Sequence, residues 1–165
     1  MPDEDVRAQD AVMEQQYALA GARHYHDAVY LCGDQRWPTA DHLFGFAAEC
    51  ALKSLLLRFA VHDVSTYRNG NAVNRARWVN PRTGKEDWLG HINQVLGAAP
   101  LLAYGRGGPA FVEAVDRLNV FASWDLADRY RDGRQVSDSV VADRQEAARL
   151  ALSLYELYEL TGRTS

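Results

Sequence analysis

The chain has 165 residues, 47% hydrophobic and 24% charged, with a formal net charge of −4. That suits one globular domain with its own core, and the acidic balance argues against a generally basic nucleic-acid binder. There is no run of about 18 uncharged apolar residues to span a membrane. Two cysteines, Cys32 and Cys50, make neither a disulfide framework nor a zinc site.

The opening MPDEDVRAQD is acidic and polar, unlike a secretory signal, so a cytoplasmic protein with reduced thiols is expected. No repeat or composition shift divides the chain, and 1–165 reads as a single domain. A first helix is predicted over 4–33, with Ala18, Ala22, Tyr25, Val29 and Cys32 in one stripe and Val12, Leu19 and His26 beside it. Gly33 and Asp34 should stop it. Pro38 suits the first turn of a second helix over 38–60, because its missing N–H has no helical partner to lose. This helix is apolar nearly all round, which predicts a central position with Leu43, Phe46, Ala47, Cys50 and Leu57 buried. His42, Glu49 and Lys53 share one of its faces.

Residues 62–87 break the helical pattern. Asn69-Gly70 and Asn80-Pro81-Arg82-Thr83-Gly84 are turn signals, and 76–80 could pair with 85–89 as a hairpin. A short third helix is expected over 88–98 and a fourth over 109–123, with one or two further turns over 125–131. Between the third and fourth, Gly105-Arg106-Gly107-Gly108 reads as a plain connection; it lacks the strand and the Lys-Ser/Thr of a phosphate loop. The last helix should run from 137 or 138 to 160, with Ala147, Leu150, Leu154, Leu157 and Tyr158 inward. The pattern predicts an all-α, up-and-down bundle with a small β-hairpin insertion between its second and third helices.

Three stretches, in this order, resemble the HEPN superfamily: His24-Tyr25-His26-Asp27-Ala28-Val29-Tyr30-Leu31, then residues 40–56 with Ala47-Ala48-Glu49-Cys50-Ala51-Leu52-Lys53 at their centre, then Trp124-Asp125-Leu126-Ala127-Asp128-Arg129-Tyr130-Arg131-Asp132-Gly133 before the final helix. The resemblance implies a prokaryotic helical bundle of toxin–antitoxin, defence or nucleotidyltransferase-associated systems, forming a homodimer. It also implies either metal-independent ribonuclease activity, usually through an Arg-x(4–6)-His motif near a late helix, or a non-catalytic role beside an antitoxin or nucleotidyltransferase. This sequence departs from the ribonuclease pattern, because no histidine follows Arg129, Arg131 or Arg134. Only Arg36 and His42 meet the spacing, and they lie at the second helix. By resemblance Glu49, Lys53, Arg129, Tyr130 and Arg131 are the family-motif residues, with Arg129 the partner for Glu49.

Metal-free RNA cleavage needs a base, an acid and a cation for the phosphorane, which histidine and arginine supply. Arg36, His42 and Glu49 form one candidate catalytic set, although seven residues of helix put Glu49 about 10 Å from His42. The other reading makes His42 a partly exposed residue at a helix start and pairs Glu49 with Lys53 or Arg129. His24 and His26 face different ways, so they make no metal pair, and His26 reads as a hydrogen-bonded core residue. No metal or cofactor is expected. Residues 64–85 hold Arg68, Arg75, Arg77, Arg82 and Lys85 and no acid, with Trp78 among them. Cations attract phosphate and indoles stack unpaired bases, so these six are the candidate nucleic-acid contacts. A loop that docks a protein partner fits the same residues. The two functions left open are an RNA-cleaving or RNA-binding effector and a protein-interaction module.

Overall fold

An apolar helix has to be surrounded, and in the computed structural model α2 (Trp37–Phe59) is. The structure describes residues 2–68, 71–104 and 108–162, the side chains of 2, 3, 68, 72, 103, 104, 108 and 162 excepted. One flank of α2 packs on α1 (Pro2–Gly33) and another on α5 (Asp138–Gly162). Arg58 near the end of α2 ion-pairs with Glu14 near the start of α1, so these two helices are antiparallel. Arg58 also donates to the Tyr158 carbonyl, while Asp41 meets Arg144, so α5 runs parallel to α2. Ala40, Ala47, Ala48 and Ala51 are fully buried and let both neighbours approach closely.

The insertion is a three-stranded antiparallel sheet in the order β1 (Val64–Arg68), β2 (Asn71–Val79), β3 (Glu86–Trp88). The expected hairpin is its β2–β3 half, closed by a turn in which Gly84, at φ 65°, returns its N–H to the Asn80 carbonyl. The predicted Asn69-Gly70 turn lies outside the described residues, as do residues 105–107 of the glycine-rich connection. β1 is an addition to the sequence reading, and α1 holds it: Asp10 accepts hydrogen bonds from the Thr66 N–H and hydroxyl, both at 2.6 Å.

The third helix is shorter than expected. Trp88 belongs to β3, α3 covers only Ile92–Val95, and the chain tightens into a 3-10 stretch, Leu96–Tyr104, around Pro100, which cannot donate a helical hydrogen bond. α4 (Gly108–Leu118) and the 3-10 turns Asn119–Phe121 and Leu126–Tyr130 lead to α5. The described chain is thus mostly helical with one small antiparallel sheet, and no described helix is long and apolar enough to cross a membrane.

Several core expectations are corrected. Leu43 and Phe46 are only half-buried, because Phe46 sits in an aromatic cluster at the edge of α2. The buried line of α1 passes through Gly21 and Ala28, and Val12, Leu19 and His26 are exposed. Leu157 is exposed as well.

Candidate nucleic-acid interface and histidine cluster

β2 does not alternate evenly. Its pairing with β1 shifts between Ser65 and Tyr67, where Ser65 opposes Arg77 and Tyr67 opposes Ala72. The extra residues bulge out of the ladder, which re-aims the strand's side chains. As a result Arg75 and Trp78 line the same groove, although they are three residues apart. Arg82 from the β2–β3 turn, Trp88 from β3, and His91 and Gln94 from the start of α3 complete it. Its volume is about 640 Å³. Arg75 and Arg82 are exposed, and among the described residues neither guanidinium is committed to an ion pair or hydrogen bond.

Behind the groove lies a second group. The Glu49 carboxylate is buried near the middle of α2 and is satisfied twice: Lys53 Nζ donates to Oε1 at 2.7 Å, and His91 Nδ1 lies 3.1 Å from Oε2. A carboxylate at this depth needs such partners. Holding Nδ1 leaves His91 Nε2 as the ring nitrogen available for proton transfer. His91 itself is 42% exposed and reaches the groove.

The buried Trp124 indole sits within ring contact of both His91, centroids 6.5 Å apart, and His42, stacked at 5.1 Å. It fits because residue 45 is glycine; a side chain there would collide with the indole. Phe46 closes the cluster, touching His42, His24 and Trp124. Burial holds the His42 imidazole below its ordinary pKa, and the Arg129 and His91 charges act the same way, opposed by Asp41 and Asp128. Burial and Arg23 lower His24 likewise.

The residues singled out from sequence divide accordingly. His42 and Glu49 both belong to the cluster, joined through Trp124 and His91 and not by direct contact. Arg36 is exposed before α2 and is not among the charges acting on His42. Arg75, Trp78 and Arg82 line the groove. Arg77 does not, since its guanidinium pairs with Glu86 and its Nε donates to the Tyr67 carbonyl. Lys85 is exposed on the turn, and the Arg68 side chain lies outside the described residues.

The expected Glu49–Arg129 pair is corrected. Arg129 is exposed and donates to the Tyr130 hydroxyl at 2.8 Å, with its guanidinium over that ring. Lys53, one turn from Glu49 on the same helix, takes the carboxylate instead. Arg131 pairs with Asp128.

Sequence reasoning gave no site role to His91 or Trp88, and met Trp124 only as the first residue of the third HEPN-like stretch. The signal for the first two was proximity: Trp88 and His91 follow the basic run within six residues of Lys85. It also missed Asp41 and Arg144, a fully enclosed ion pair at 2.6 Å. Arg144 further donates to Ser123 Oγ and the Val120 carbonyl, tying α5 to the turn that carries Trp124. Among the described residues no group of three or more His, Cys, Asp or Glu is arranged to hold a metal ion. Comparison of the chain with protein-family models, curated proteins and solved structures finds no match.

Proposed function

We propose that this chain is an HEPN-like, cytoplasmic stress or defence protein that binds single-stranded RNA along the groove and cleaves it without a metal, working as a homodimer. The observation that carries the reading is the meeting of the two groups at His91: one face of this residue lines a groove of free arginines and indoles, and the other is held by Glu49. Guanidinium groups hold phosphates and indoles stack bases. A carboxylate-oriented imidazole at the phosphate is the requirement for general base catalysis. In this reaction the 2′-hydroxyl oxygen attacks the adjacent phosphorus as His91 Nε2 takes its proton. A 2′,3′-cyclic phosphate forms, the 5′-oxygen departs and is protonated by solvent at the open groove, and Arg75 or Arg82 offsets the phosphorane charge. Glu49 positions the ring and balances the imidazolium.

The test is incubation of the purified protein with total RNA, with and without EDTA, followed by analysis of the new ends. Cleavage that survives EDTA and leaves cyclic phosphates supports the reading. His91→Gln should abolish it and leave binding intact, whereas Arg36→Ala should change little. Absence of RNA binding even at about 20 mM salt would remove the nucleic-acid reading, because phosphate contacts strengthen steeply as salt falls. A second reading, a protein-interaction module that partners an antitoxin or nucleotidyltransferase, is favoured by the exposed Leu19 and Tyr30 on α1. Capture of such a partner by an RNA-inert protein would select it.

A further inference from the structure

The groove is more than a cationic surface, and its polar groups differ in kind. Trp78 is half-buried and Trp88 is 41% exposed, and among the described residues neither indole is in ring contact with another aromatic side chain. Both line the groove, Trp88 as the more exposed ring and Trp78 with part of its surface packed against the core. Among the described residues Asp87 is the sole carboxylate lining the groove. Its Oδ1 accepts the Trp88 N–H at 2.8 Å, which fixes the side chain, and among the described residues Oδ2 has no partner. Asn80 and Gln94 are turned the other way. Asn80 Oδ1 accepts the Arg82 N–H and Gln94 Oε1 accepts the His91 N–H, so each leaves its amide NH2 for an acceptor.

We propose that the groove is a guanine-nucleotide pocket, with the base against Trp78 and Trp88, its Watson–Crick edge on Asp87, and its phosphate on Arg75 and Arg82. The choice of base follows from hydrogen-bond complementarity. Guanine alone among the four bases offers two neighbouring donors, N1–H and the 2-amino group, which one carboxylate can accept together. The Watson–Crick edges of adenine, cytosine and uracil each place acceptors beside their donor, and a carboxylate repels those. The amides of Asn80 and Gln94 are donors suited to guanine O6 or N7. Unpaired bases are read in this way, by stacking combined with Watson–Crick-edge contacts. The inference deepens the RNA-binding reading above and rests on it for the source of the base. The recognised chemistry, a guanine carrying a phosphate, is shared by free nucleotides and single-stranded RNA.

The test titrates GMP, AMP, CMP, UMP and IMP into the full chain, following tryptophan fluorescence and confirming by calorimetry. GMP should bind about ten-fold tighter than AMP, CMP or UMP, or better, since a site built on hydrogen-bonding groups rejects ligands that leave them unpaired. IMP, which lacks the 2-amino group, should fall between. Asp87→Asn keeps the acceptor for the Trp88 N–H but loses the paired acceptors, so it should erase the preference while leaving phosphate-dependent binding. Trp88→Ala should weaken all the nucleotides together. A second arm compares a uridine oligonucleotide with the same oligonucleotide carrying one guanosine. Tighter binding of the guanosine oligonucleotide than of GMP assigns the pocket to RNA; equal or weaker binding assigns it to free nucleotide. Equal affinity for all five nucleotides, or none, overturns the proposal. Tight uridine-oligonucleotide binding with no gain from guanosine sinks the guanine pocket but leaves the RNA reading standing. GMP binding without RNA binding does the reverse.

Discussion

Two ion pairs sit on α2, eight residues apart, and they differ in what surrounds them. Asp41–Arg144 is enclosed on every side, its side chains 3% and 6% exposed. Glu49 with Lys53 is less enclosed, the two side chains 11% and 12% exposed, and it opens through His91 to the groove. A charge pair inside a protein gains Coulomb energy but loses its water, so enclosure makes it a fastener whose breakage is costly. A pair that reaches solvent at one end can still move a proton. The first joins α2 to α5; the second joins α2 to α3 at the mouth of the groove.

The largest effect should come from opening the enclosed pair on one side. Asp41→Ala or Arg144→Ala leaves a buried charge unpartnered and should destabilise by about 3–5 kcal/mol, read by chemical denaturation. Burial also pushes the Asp41 carboxyl above its ordinary range against the pull of Arg144, and its Oδ1 is buried without a hydrogen bond. Ionised Asp41 is therefore imperfectly compensated, and Asp41→Leu combined with Arg144→Met should recover most of the loss. Additive losses in the double variant would contradict this account.

Next is the plug between the two pairs. Gly45→Ala drives a methyl group into the Trp124 indole, and overpacking of this kind costs about 1–3 kcal/mol. Because Trp124 carries His42 and contacts His91, proton transfer should suffer with stability. Glu49→Gln should cost only about 1 kcal/mol, since Lys53 and His91 regain water when the carboxylate is neutralised. RNA cleavage should fall far more than the unfolding midpoint does. A loss of stability as large as that of Asp41→Ala would mean that Glu49 is a fastener too.

Much of this fold was readable in the residues. The all-round apolar character of α2 revealed its central place, and Asn80 to Gly84 marked the hairpin turn. The sites were harder because they depend on contacts distant in sequence. Arg144 lies at the spacing of the buried residues Val141, Ala148 and Ala151, so it marks a polar interruption of an inward face, but nothing local names Asp41, 103 residues away, as its partner. His91 meets Glu49 across 42 residues only because the sheet returns the chain to α2. Arg129 was attractive as a partner by resemblance, yet the adjacent Tyr130 ring offers it a nearer one.

Acid should act on the cluster before it acts on the enclosed pair. Burial holds His24 and His42 below the ordinary imidazole value of 6.5. Their contribution to stability is present above that value and is lost as pH falls from it through the folded values, because the unfolded chain takes up protons first. Asp41 and Glu14, raised by burial, have the opposite sign: their contribution is present at low pH and is lost as pH rises through their raised carboxylate values. Once pH falls below 6.5 and before the carboxylates titrate, the histidines should dominate, and the thermal midpoint should fall. His42→Gln should flatten that fall; an unchanged slope would separate His42 from the pH response.

The smallest effect sharpens the line between groove and scaffold within a single strand. Arg75 and Arg77 are two residues apart on β2, carry the same charge and lie in the same acid-free run. Sequence treats them alike, but the bulge does not: Arg75 is free in the groove, whereas Arg77 is spent on Glu86 and the Tyr67 carbonyl. A phosphate contact to a single strand contributes about −0.7 to the slope of log affinity against log salt. Arg75→Ala should therefore flatten the slope by about that amount, and Arg82→Ala by a similar one. Arg77→Ala should leave the slope unchanged and lower the thermal midpoint, because it removes the Glu86 pair and the Tyr67 carbonyl bond by which Arg77 ties β2 to both neighbouring strands. Trp78→Ala should weaken binding by about 1–3 kcal/mol with little change in slope, since stacking releases no counterions. Labelled single-stranded RNA titrated at several salt concentrations reads all four variants together. Equal slope changes for Arg75→Ala and Arg77→Ala would mean that the strand presents both to RNA and that the bulge does not sort them.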